Sequence, residues 1–78
     1  MVEVFSNDIP IPELRDKVSE VVKKAIGDRP GDWEVEIHSS TWSITITGPD
    51  DFEWRDEFFG PDEHGPEFIR KTVESALP

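Results

Sequence analysis

Eight carboxylates crowd one short stretch of this chain: Asp50, Asp51, Glu53, Asp56, Glu57, Asp62, Glu63 and Glu67 face a single cation, Arg55. Residues 50–67 therefore carry −7 of the formal charge of −10, and the rest of the chain sums to only −3. Carboxylates at this density can keep a small protein dissolved, present a docking surface to a basic protein, or hold a divalent cation. Calcium loops need oxygen ligands at alternating positions around a central Gly. Asp50-Asp51-Phe52-Glu53-Trp54-Arg55 lacks that spacing, and no metal is expected. The field of such a stretch repels phosphate backbones and anionic membranes and draws basic proteins. Direct nucleic-acid binding is excluded on the same ground, and a mimic of nucleic-acid phosphate, as an inhibitor or immunity-type protein, is a special case of the docking reading.

Acid–base chemistry would need a histidine, and His38 and His64 are the only two. His64 beside Asp62 or Glu63 is the one candidate pair, as in a small hydrolase or a metal-dependent enzyme. A solvated histidine in a Gly/Pro-rich loop is the plainer reading. Ser39, Ser40, Thr41, Ser43, Thr45 and Thr47 supply hydroxyls, but no nucleophile elbow surrounds them and strand propensity accounts for them. A chain of 78 residues leaves little room for a deep pocket. With no cysteine, neither a disulfide nor a thiolate metal site is available. The sequence assigns no catalytic residue and no cofactor.

The elements that must position these residues are legible from periodicity. Trp33, Val35 and Ile37 alternate with Glu34, Glu36 and His38, and Trp42, Ile44 and Ile46 alternate with Ser43, Thr45 and Thr47. Two such runs predict a β-hairpin with one apolar face. Pairing Ile37 with Trp42, Val35 with Ile44 and Trp33 with Ile46 puts all six on one side, around a four-residue loop at His38–Thr41. After the turn at Gly48-Pro49-Asp50-Asp51, the alternation of Phe52, Trp54 and Phe58 predicts a third antiparallel strand that ends or bulges at Asp56. The rival is a short helix over 52–59.

Pro12 can open a helix, where its missing N–H costs nothing. Leu14, Val18, Val21, Val22, Ala25 and Ile26 then form one helical face, and Gly27 caps it. Glu13–Lys17 and Glu20–Lys24 are spaced as i,i+4 pairs. Pro66 opens a second helix with Phe68, Ile69, Thr72, Val73, Ala76 and Leu77 on one face, again with pairs at Glu67–Lys71 and Arg70–Glu74. Met1–Phe5 is β-prone and either adds an edge strand or lies across the core.

The expected fold is a single α+β domain over residues 1–78: a two-layer α-β-β-β-α arrangement, with a three-stranded antiparallel sheet and two helices on one face. That order is shared with double-stranded-RNA-binding domains, which need basic residues at the start of the last helix. This chain has Asp62, Glu63, His64 and Glu67 there, so no family is assigned.

The functional expectation is a small acidic interaction module, not an enzyme. Asp50, Asp51, Glu53, Asp56, Glu57, Asp62, Glu63 and Glu67 would face a basic protein partner, with Trp54, Phe58 or Phe59 as apolar anchor. A structural subunit that self-associates through its sheet is the other alternative, so the chain is expected to be a monomer or a weak homodimer. No signal peptide and no apolar run of membrane-spanning length is visible, giving a soluble cytoplasmic protein as the expectation.

Overall fold

The computed structural model describes residues 1–57 and 65–78. In chain order its elements are β1 (Val2–Asn7), α1 (Pro12–Ile26), β2 (Trp33–His38), β3 (Ser43–Thr47), β4 (Glu53–Glu57) and α2 (Pro66–Ala76). Phe58, Phe59, Asp62, Glu63 and His64 lie outside the described residues.

Helix α1 has the predicted bounds. Pro12 stands in its first turn, Val18, Val22, Ala25 and Ile26 are buried, and Lys23 and Lys24 sit at its negative end. Gly27 follows with a φ of +62°, a backbone conformation that L side chains rarely adopt, and its N–H closes on the Lys23 carbonyl. Arg29 reaches back to donate to the Ala25 and Ile26 carbonyls, at 2.8 and 3.0 Å, so side chain and backbone finish the helix together. In α2, Ile69 and Val73 are buried, as is Leu77 just beyond it, while Phe68 is half exposed at 49%.

The sheet is α+β in class as expected, but it has four strands and is mixed, in the order β1-β2-β3-β4. The expected three-stranded antiparallel sheet is therefore corrected at its first edge. Alternation in Val2-Glu3-Val4 makes a strand, and because α1 carries the chain back to the same end, β1 lies parallel to β2. Val2 and Val4 pair with Trp33 and Val35 and pack against the core from the helix side. Asn7 ends the strand by bonding into α1: its Nδ2 donates to the Arg15 carbonyl and to Ser19 Oγ, and its Oδ1 accepts the Ile9 N–H.

The hairpin register also differs. Ile37 pairs with Ile44, Val35 with Ile46 and His38 with Ser43, a slip of two from the expected pairing. Because the strand period is two, the slip leaves each side chain that remains in the strands on its expected face. It moves the loop to residues 39–42 and takes Trp42 out of the strand, at a φ of +46°. The cause is a contact distant in sequence: Asp8 Oδ1 accepts the Ser39 N–H at 2.6 Å and the Ser39 hydroxyl donates back to the Asp8 carbonyl, fixing where β2 stops. The β3–β4 pairing is regular, and Asp56, opposite Ile44, neither ends nor bulges the strand. An inward-facing carboxylate is tolerated because β4 is the sheet edge and Asp56 is exposed.

One apolar cluster joins Val18, Val22, Ala25 and Ile26 of α1 to Ile69, Val73 and Leu77, and both to Trp33, Val35, Ile37, Ile44 and Ile46. Each such side chain contributes roughly 1.5–3 kcal/mol when fully buried. Trp33 anchors one end: its ring meets Phe52 edge-on at 5.4 Å and Gly48 so closely that a Cβ there would lie 2.5 Å from it.

Candidate functional site

With both helices on one face, the other face of the sheet is open, and its composition follows from the registers. Residues opposite one another across neighbouring strands share a face. One row reads Glu3, Glu34, Thr47, Glu53 and the next Ser6, Glu36, Thr45, Arg55; a third runs His38, Ser43, Glu57, in which Ser43 is buried rather than open to water. Five glutamates from three strands thus stand on this face with one arginine. Same-face neighbours along a strand are about 7 Å apart and those on adjacent strands about 5 Å, so Glu3 and Glu34 are immediate like-charged neighbours. Arg55 Nη2 pairs with Glu57 Oε1 at 3.2 Å, the only ion pair on this face among the described residues.

The acidic stretch named from sequence is divided by the fold. Glu53 and Glu57 lie on the open face, whereas Trp54 and Asp56 lie on the helix side, opposite Ile46 and Ile44. Trp54 is half-buried against the core, which leaves it little area to offer a partner. Asp50 and Asp51 form the β3–β4 turn at the end of the Thr47–Glu53 row. Their φ values are +58° and +61°, the Phe52 N–H donates to the Pro49 carbonyl, and the turn is therefore of type I′. Glu67 lies in the first turn of α2 and is bound by Arg70, whose other arm holds Glu74 at 2.8 Å. That hydrogen bond, with the guanidinium charge, pulls the Glu67 carboxyl below its ordinary value and raises Arg70.

Sequence reading missed Glu3, Glu34 and Glu36 as members of an acidic surface. The alternation that placed Glu34 and Glu36 outward was visible, but nothing in the linear charge map joins β2 to β4. Phe5 was missed as well. It is the extra residue where the β1–β2 register shifts between Val4 and Ser6, and it is 67% exposed.

The remaining polar groups are structural. Ser43 is buried, and its Oγ lies 2.7 Å from Thr41 Oγ1. The Asp8 carboxyl is pulled down, first by the Ser39 N–H and also by the nearby His38 ring. Among the described residues no group of three His, Asp or Glu side chains comes together to hold a metal ion, and no helix is long and apolar enough to cross a membrane. Comparison of the chain with protein-family models, with curated proteins and with solved structures returns no match.

Proposed function

We propose that this protein is an acidic protein-interaction module whose open sheet face receives a basic protein surface. One observation carries the reading: carboxylates from β1, β2 and β4 share a face with a single cation, although they are scattered along the sequence. Asp50 and Asp51 extend the field past the end of the Thr47–Glu53 row. The mechanism is electrostatic steering, in which the field raises the encounter rate with a cationic partner and fixes its register. Thr45 and Thr47 lie between the glutamates of β2 and β4 and offer hydroxyls to polar groups of the partner.

Titration of isotope-labelled protein with octa-lysine, followed by amide chemical shifts, tests the reading. Shifts are expected to concentrate at Glu34, Glu36, Glu53 and Glu57 and to fade as salt is raised. Equal shifts on the outer helix surface, at Glu13 and Glu20, would reduce the effect to net charge and defeat the proposal.

A further inference from the structure

We infer that Phe5 is the apolar anchor of the open face, and that the partner segment it fits is extended, with an apolar residue placed two positions from basic ones. The inference rests on the basic-partner reading above.

Val4 faces the helices, and at the register shift Phe5 and Ser6 together stand opposite Glu36, which sets Phe5 on the side of Glu36 and Glu3. There the fold leaves a large aromatic ring 67% exposed on the face that carries the glutamates. The register shift at this position is a β-bulge, a device that re-aims a side chain and interrupts pairing along an edge. Glu3 stands two residues before Phe5 on β1, and Glu34 and Glu36 stand on the neighbouring strand.

This combination restricts the occupant. A purely cationic segment would leave the Phe5 ring in water. A purely apolar one would strip water from Glu3, Glu34 and Glu36 without giving them partners, which is costly. An extended segment lying on the face points every second side chain at it, the same period that separates Glu3 from Phe5. Basic residues with one apolar residue in that series meet both demands at once.

Two nonapeptides of equal charge test the inference: Lys-Ser-Lys-Ser-Leu-Ser-Lys-Ser-Lys, and the same peptide with Ser in place of Leu. The wild-type protein is expected to bind the leucine peptide about tenfold more tightly, the scale of partly burying one apolar side chain. Phe5→Ala should abolish that preference while leaving the serine peptide unchanged, and Phe5→Trp should retain it. Phe5 lies outside the core, so these variants are expected to fold. The double variant Glu34→Lys/Glu36→Lys should weaken both peptides together.

Equal affinity for the two peptides, or a preference that survives Phe5→Ala, overturns the anchor and leaves the basic-partner reading standing. Unchanged binding in the glutamate double variant overturns that reading itself. A concentration-dependent dimer by light scattering that Phe5→Ala abolishes would make a second copy the occupant, and would likewise overturn the inference.

Discussion

The outer helix surface and the open sheet face are both charged and both in water, yet they are built on opposite principles. On the helices, charges come in neutralising sets: Lys24 with Glu20 at 2.8 Å, and Arg70 with both Glu67 and Glu74. On the sheet, Glu3 and Glu34 are direct cross-strand neighbours, and only Glu57 has an ion pair among the described residues. Paired helix charges favour folding slightly, whereas like charges opposite one another on a sheet oppose it. The helix surface is thus arranged for the chain's own stability. The sheet face carries charge that folding does not reward.

The sharpest way to break this comparison is to attack the layer between the two surfaces. Trp33 is buried against Phe52 and Gly48, while Trp42 sits half-buried in the 39–42 loop. Trp33→Ala should cost about 3–5 kcal/mol and unfold much of the population, since a domain this small has little stability in reserve. Trp42→Ala should cost roughly 1–2 kcal/mol. Urea unfolding of both variants measures the gap. Trp42 packs on the rim of the core, so equal losses would mean that it carries as much of the core as Trp33 and that the hairpin register is wrong.

A smaller effect is expected at the acidic turn. Asp50 and Asp51 both occupy the left-handed region, which costs an ordinary L-residue roughly 1–2 kcal/mol and suits Asn and Gly better. Asp50→Asn/Asp51→Gly should raise stability by about 1 kcal/mol. A lower urea midpoint for this variant would show that the two carboxylates hold the turn in some other way.

The smallest effects separate the two surfaces by sign. Glu34→Lys replaces a like-charge pair with an opposite one and should stabilise by about 0.2–1 kcal/mol at low salt. Glu20→Lys removes the pair with Lys24 and should destabilise. Added salt should stabilise the wild type through the sheet face, and less so the Glu34 variant. Acid acts through the helices and through Asp8, whose carboxyl Ser39 holds low. The hydrogen bonds from Lys24 and Arg70 hold the Glu20 and Glu67 carboxyls below their ordinary value of 4.5. Their contribution to stability is therefore full above that value and is lost as pH falls through the lowered folded values. Thermal melts across salt and pH check these signs; matching responses from the Glu34 and Glu20 variants would erase the distinction between the surfaces.

Much of the fold was legible because local rules governed it. The bounds of α1, the start of α2 at Pro66 and the facing of the hairpin side chains all follow from proline placement and periodicity. The register was not legible, because it is set by a contact thirty-one positions apart, Asp8 with Ser39. A slip of two preserves every face, so the hydrophobic pattern cannot detect it. Strand β1 was readable only as a β-prone segment, either an edge strand or one lying across the core, and not as a parallel partner of β2, since its place depends on where α1 returns the chain. The acidic face was half readable for the same reason. Charge density along the chain singled out Glu53 and Glu57, but it also gathered Asp56, which alternation turns to the other side, and passed over Glu3, Glu34 and Glu36.

The parallel placement of β1 also sets an order in time. Strands β2, β3 and β4 are joined by short loops within residues 33–57, so their pairing closes little chain and can form early. Pairing β1 with β2 must first close the whole span of α1, at a larger entropic cost. Val2 and Val4 pack only partly buried at this rim of the sheet. In native-state amide exchange, the edge strand β1 is expected to be less protected than β2 and β3, which are paired on both sides. Its opening would carry Glu3 and Phe5 away from Glu34 and Glu36, making the composite face a property of the fully closed state alone.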